Sequence, residues 1–207
     1  MTKTRLLPLL LLAIVPVGAR AQRFQNSDMY YVAGPVSANT QVIGGSNVTL
    51  YGSTGYAFMW GFGHQLKRIG GASLWLDVPL VFTDPSHQTA TIPGSITLGA
   101  AMLVPGVRLM LPLQSRISVF GIAGGGGGFF TNPYLESTNP VLTTNIVNHG
   151  VIEAGGGVDI RLSDFFSIRL DVRDFIAGRN LGGVTGRNDI IPMLGFALHS
   201  ARGRAKR

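Results

Sequence analysis

Four acids and four arginines stand in short segments where charge alternates with hydrocarbon. Asp77 lies in LWLDVPLVF and Arg108 in VPGVRLML; Glu153, Asp159 and Arg161 lie in VIEAGGGVDIR; Arg169, Asp171 and Arg173 lie in SIRLDVRDF. Within these segments the charges share one parity, while Leu76, Val78, Ile152, Ile160, Leu170 and Val172 take the other. On a strand that places charge on one face and hydrocarbon on the opposite face. Carboxylates and guanidiniums on one enclosed face can pair as buried ions, or they can line a path for ions. Equal numbers of each sign favour pairing, because an unpaired buried charge is strongly destabilising.

Glycine is the second chemical candidate. GIAGGGGGFF carries Gly124, Gly125, Gly126, Gly127 and Gly128 in a row, and Gly155, Gly156 and Gly157 follow in VIEAGGGVDIR. A phosphate-binding loop sets its glycines between a strand and a helix and continues with Lys-Ser or Lys-Thr. Here Phe129 and Phe130 follow, without lysine or helical pattern. Both tracts fall on neighbouring strands, where glycine permits tight curvature and close approach of a side chain. We expect them to let a wall bend, or to make room for arginines such as Arg169 and Arg173.

The histidines give little catalytic geometry. His199 adjoins Ser200 at the end of the last expected strand, with no carboxylate placed on a neighbour there. His149 and Glu153 share a strand face and would suit a metal or an acid–base pair, but His149 sits at a loop base. Neither H-E-x-x-H nor G-x-S-x-G occurs. The chain has no cysteine, which removes disulfides and thiolate chemistry. The expectation is a non-enzyme with no catalytic residue, no cofactor and no metal.

Eight strands are expected to position these side chains: Met29–Val36, Asn47–Phe62, Arg68–Phe82, Thr97–Pro112, Arg116–Phe130, His149–Arg161, Phe165–Gly178 and Asn188–Ser200. Three connections are tight: Gly63 to Lys67, Leu113 to Ser115 and Leu162 to Asp164. The other four are long and polar, the longest running from Thr131 to Asn148. Short turns on one side, long loops on the other and an even strand count are the pattern of an outer-membrane barrel. In hydrocarbon every backbone donor and acceptor must be paired, which a closed barrel achieves and an open sheet does not. The fold class expected is therefore all-β: a closed antiparallel up-and-down transmembrane β-barrel of eight strands, with short periplasmic turns and long extracellular loops. With the apolar parity toward lipid, the charged parity fills the lumen. An eight-stranded lumen is just wide enough for side chains to fill, which favours a salt-bridged plug over an ion path. Tyr30, Tyr31, Trp60, Phe62, Phe82, Phe129, Phe130, Phe165 and Phe166, near strand ends, are expected in the interfacial aromatic girdles.

The N-terminus carries an export pattern: Lys3 and Arg5, an apolar core Leu6 to Val17, then Ala19-Arg20-Ala21 as a cleavage site. The expected organisation is a signal peptide over 1–21, a periplasmic segment over 22–28, a barrel over 29–200 and a basic tail over 201–207. Without Lys3, Arg5 and Arg20 the formal charge drops from +7 to about +4, and Arg202, Arg204, Lys206 and Arg207 all belong to the tail. A charge so localised, on an exported chain, excludes nucleic acid as the partner.

LWLDVPLVF, VPGVRLMLPLQSRISVFGIAGGGGGFF, GGGVDIRLSDFFSIRLDVRDF and the closing PMLGFALH resemble small outer-membrane β-barrel proteins of the OmpA-like, eight-stranded type, in wording similar to acidobacterial-type barrels. The resemblance covers about Asn47 to Ser200 and implies fold and membrane, not activity. It implies a bacterial outer-membrane location, with membrane lipid and the barrel-insertion machinery as partners. Barrels of this type usually end on an aromatic in the last strand, whereas HSARGRAKR closes this chain. The function expected is structural or surface-interacting, the long loops supplying contact with any extracellular ligand. The alternatives are a narrow pore for water or small solutes, and a soluble periplasmic barrel with inverted faces around an apolar ligand.

Overall fold

Alternating apolar and polar residues form strands throughout the computed structural model, which describes residues 26–37, 41–42, 49–50, 54–89, 95–135, 142–178 and 187–200. The strands are β1 (Ser27–Ser37), β2 (Gln41–Val42), β3 (Thr49–Leu50), β4 (Thr54–Ile69), β5 (Ala72–Thr89), β6 (Ser95–Leu103), β7 (Gly106–Pro112), β8 (Ile117–Leu135), β9 (Leu142–Arg161), β10 (Phe166–Ala177) and β11 (Arg187–His199). β2 and β3 pair only with each other. The other nine make one antiparallel sheet that closes on itself: β1 pairs with β11, with Asp28 opposite His199 and Ala33 opposite Leu194. β6 and β7 both pair with β5 and β8, so they are two halves of one stave and the barrel has eight.

The split in that stave, expected as one strand from Thr97 to Pro112, has a local cause. Pro105 has no N–H to give the ladder. The facing strand carries Pro79, whose carbonyl accepts the Val104 N–H at 3.3 Å; the Pro105 carbonyl accepts from Gly125 N–H at 3.0 Å. The wall folds inward at Val104, which is fully buried.

Three connections differ from the sequence expectation; in one, the stretch 83–96 expected as loop is largely strand, β5 and β6 staying paired out to Thr89 opposite Ser95. The first tight turn is not Gly63 to Lys67, because β4 continues to Ile69 past a register shift between Gln65 and Lys67. The chain reverses at Gly70-Gly71, where Gly70 takes φ 59°, a left-handed conformation that glycine adopts without strain. Much of the stretch from Thr131 to Asn148 is likewise not loop. β8 and β9 stay paired up to Leu135 opposite Leu142, a ribbon that stands beyond β10, whose pairing with β9 ends at Ala177 opposite Val151. The turns at Leu113–Arg116 and Leu162–Phe165 lie where expected. In each, two successive N–H groups donate to one carbonyl, of Ile117 and of Phe166 respectively.

Candidate functional site: the barrel interior

The two faces of each stave separate sharply. Tyr31, Phe58, Trp60, Phe82, Leu103, Val107, Ile152, Leu170, Val172, Leu194 and Phe196 point outward, an apolar belt around the wall. Of the residues expected in the aromatic girdles, Tyr31, Trp60, Phe82, Phe129 and Phe165 are exposed. Tyr30 and Phe130 instead point inward and are buried, because they share parity with the lumen residues of β1 and β8. Phe62 and Phe166 are half-buried.

Nearer the short turns, the lumen is filled by ions. Arg169 forks onto Asp159, Nε to Oδ1 at 2.8 Å and Nη2 to Oδ2 at 2.7 Å, and reaches Asp28 at 3.2 Å. Arg108 meets Asp28 at 2.6 Å and Asp77 at 3.2 Å. Arg173 pairs with Glu153, with Asp171 at 2.9 Å and with Asp77 at 3.3 Å. Tyr30 stands at the centre. Its hydroxyl donates to Asp77 Oδ2 at 2.7 Å and accepts from Arg173 Nη2 at 3.0 Å, while the Arg169 guanidinium lies 4.3 Å from its ring centroid. Arg108 also lies over Trp75, 5.1 Å from the ring centroid. Arginine suits this arrangement because its planar fork binds carboxylates and stacks on rings at once.

Seven of the eight charges singled out from the sequence are in this cluster: Asp77, Arg108, Glu153, Asp159, Arg169, Asp171 and Arg173. Arg161 is exposed instead. It has the inward parity but is the last residue of β9, beyond the height at which side chains from opposite walls meet. Asp28 and Tyr30 belong to the cluster and were not singled out as lumen groups. Asp28 fell outside the expected first strand, yet β1 begins at Ser27 and buries it. Its inward parity with Tyr30 and Val32 was the available signal. Asp28 also supplies the carboxylate opposite His199 that the sequence boundaries left out.

Toward the long-loop end the filling changes character. Val32, Val36, Ala57, Met59, Val81, Ala100, Met102, Val104, Phe130, Val151, Phe175, Ala177, Ile191 and Met193 form one buried apolar cluster. The interior is thus two plugs in series, ionic below and mainly hydrocarbon above, where Asp189 and Thr83 are the buried polar exceptions. Sequence parity does not show the upper plug, because there both faces of the wall are apolar.

The glycine tracts lie in this wall, as β8 and β9 neighbours: Gly121 opposite Gly156, and Gly127 opposite Gly150. Gly124, Gly126, Gly128, Gly155 and Gly157 carry the inward parity. A Cβ on Gly155 would come within 2.9 Å of Arg173 Cα, and one on Gly126 within 2.8 Å of Val104 Cα, where the broken stave folds in. Outward-facing Gly125 and Gly127 meet nothing nearer than 3.5 Å. Gly156 is tighter, 2.7 Å from the Phe120 carbonyl oxygen. His149 lies tilted against Phe130, ring centroids 5.8 Å apart. Among the described residues, no group of three or more histidines and carboxylates could hold a metal ion.

A closed antiparallel ring of eight staves, apolar outside and plugged inside, defines a transmembrane β-barrel of the outer-membrane type. Solved structures are similar to it to differing degrees, and the first of them shares the fold. Neisserial surface protein A matches with a TM-score of 0.57 at 10% identity, over 83% of this chain and 96% of that one. The attachment invasion locus protein of Yersinia pestis, solved with the heparin analogue sucrose octasulfate, matches with a TM-score of 0.47 at 10% identity, over 84% and 99%. The outer-membrane enzyme PagL matches with a TM-score of 0.44 at 12% identity, over 83% and 97%. No protein-family model matches the sequence, and no curated protein matches it.

Proposed function

We propose that this chain is an exported, non-enzymatic protein of a bacterial outer membrane, of the acidobacterial type its wording resembles. Its closed barrel is a rigid support for structural or surface-interacting segments. The observation that carries this is the double plug. A lumen filled by paired ions at one level and by Met59, Val81, Met102 and Ile191 at the next leaves no continuous polar path among the described residues. The apolar belt outside supports embedding in lipid, with the short turns periplasmic and the β8–β9 ribbon reaching outward as the element best placed to meet an extracellular ligand. The proposed division is a signal peptide over 1–21 removed on export, a periplasmic segment shortened to 22–26 because β1 begins at Ser27, the barrel from there to Ser200, and a tail over 201–207. The barrel-insertion machinery would be its assembly partner.

Expression in a Gram-negative host tests this. The chain should fractionate with the outer membrane, show heat-modifiable gel mobility, and give no steady openings in a planar bilayer. Replacing Thr131 to Asn148 by a two-residue turn should leave the barrel folded. Steady openings that change when Arg173 or Glu153 is neutralised would favour the narrow pore and overturn the plug.

A further inference from the structure

The three lumen arginines make the seven ion pairs of the lower plug. Two others, Arg68 at the end of β4 and Arg161 at the end of β9, make none there. β4 and β9 are opposite staves of the ring, and both arginines line one cavity of about 840 Å³ at the short-turn mouth. The hydroxyls beside them are already used as acceptors. Ser200 Oγ accepts the backbone N–H of Asn26 at 3.2 Å and of Ser27 at 3.0 Å; Ser73 Oγ accepts the Trp75 indole N–H at 2.8 Å. Ser200 still offers the cavity its O–H donor, and Ser73 its O–H donor and one lone pair. The one carboxylate in the lining, Asp164, lies exposed on the Leu162–Phe165 turn. Two guanidiniums from opposite staves in one lining, with two hydroxyls that have an O–H to give, make a surface that seeks acceptors, above all an oxyanion. The volume is within the ~300–1,000 Å³ of small-molecule sites and much more than a bare phosphate fills.

We propose that the short-turn mouth is a binding site for a phosphorylated polyol, Arg68 and Arg161 holding the phosphate and Ser73 and Ser200 donating to it or to neighbouring oxygens. A soluble sugar phosphate and the glycerophosphate headgroup of an anionic lipid share this chemistry. The site is set by the geometry of the mouth, and the outer-membrane reading enters only in placing it on the periplasmic side.

Trp75 lines the cavity and is one of two tryptophans in the chain, so W60F leaves it as the sole reporter. The full chain, folded in zwitterionic detergent and checked by heat-modifiable mobility, is titrated with glucose 6-phosphate and with glucose. In parallel it is placed in nanodiscs of phosphatidylcholine with and without phosphatidylglycerol. A saturable emission change with glucose 6-phosphate but not glucose, weakened at least tenfold by R68Q and by R161Q, supports the site with a soluble ligand. A change seen only with phosphatidylglycerol and lost in R161Q supports the same site with a lipid ligand. No saturable change with either probe, or unaltered affinity in both folded variants, overturns the proposal, whatever becomes of the membrane assignment.

Discussion

Replacing Arg173 by methionine removes a guanidinium whose nearest oxygens belong to Glu153, Asp171, Asp77 and Tyr30. Asp77 keeps Arg108 at 3.2 Å and the Tyr30 hydroxyl at 2.7 Å. Glu153 and Asp171 have Arg173 as their only ion-pair partner among the described residues, so the loss falls on them. Breaking a buried pair by removing one partner costs about 3–5 kcal/mol, chiefly for the charge left behind. At about 1.4 kcal/mol per decade, that lowers the folded-to-unfolded ratio by roughly two to three and a half decades. Urea titration of the barrel in lipid vesicles, followed by heat-modifiable mobility, reads this directly. Because the cost lies in the stranded carboxylates, R173M/E153Q/D171N should recover at least half of it. An R173M midpoint within about 1 kcal/mol of the parent, or a triple variant less stable than R173M, would refute the pairing logic.

Three further outcomes follow from the same geometry. G126V/G156V should fail to assemble, because the added atoms meet Val104 Cα at 2.8 Å and the Phe120 carbonyl oxygen at 2.7 Å. G121A/G125A should assemble normally, its nearest contacts being 4.0 and 3.8 Å; gel mobility separates the two. Leu194→Arg, in the outward belt, should lower stability by about 2–4 kcal/mol in vesicles, while Leu113→Arg in a short turn costs about 0–1 kcal/mol. Met59→Ala, in the upper plug, should cost about 2–5 kcal/mol without opening a steady conductance, since Val81, Met102 and Ile191 still close the lumen.

The periodic part of the architecture was legible, because lipid outside and charge inside impose a strict two-residue alternation on SIRLDVRDF and LWLDVPLVF. That gave the eight staves, the antiparallel ring and the inward parity of the charges. What escaped was decided by local chemistry that parity does not carry. The β4–β5 reversal follows from the φ of Gly70, not from the polar look of GHQLK. The β8–β9 ribbon hides in a stretch rich in Asn, Thr and Pro that reads as loop, yet LTTNIVN keeps β-branched residues at short spacing. Asp28 was lost to a boundary drawn two residues late, and Arg161 was misjudged because parity says which way a side chain points but not whether a wall stands opposite it. The upper plug left no alternation at all: Phe58 outward and Met59 inward, or Ile190 outward and Ile191 inward, look alike in sequence.

That last feature bears on why the lower plug is ionic. Well-packed hydrocarbon in place of a buried ion network is often neutral or stabilising, so stability alone does not account for Arg108, Arg169 and Arg173. In the upper half, where apart from buried Asp189 and Thr83 the filling is apolar, a strand that slipped by one residue would mostly exchange hydrocarbon for hydrocarbon. In the lower half the same slip of β10 would turn Arg169 and Arg173 into lipid, at about 2–4 kcal/mol each near the midplane. On this hypothesis the ions fix which face of the wall is the inside. Leu170 and Leu194 lie opposite one another on the outer face, and the chain has no cysteine, so L170C/L194C reports the β10–β11 register through a single disulfide. With the native lumen the pair should oxidise almost completely. In a variant in which the eight ions of the lower cluster (Asp28, Asp77, Arg108, Glu153, Asp159, Arg169, Asp171 and Arg173) are all replaced by leucine or methionine, the barrel should remain as stable but cross-link only in part. Complete cross-linking of that apolar-lumen barrel would show that register is fixed elsewhere, and the ions would then need a different explanation.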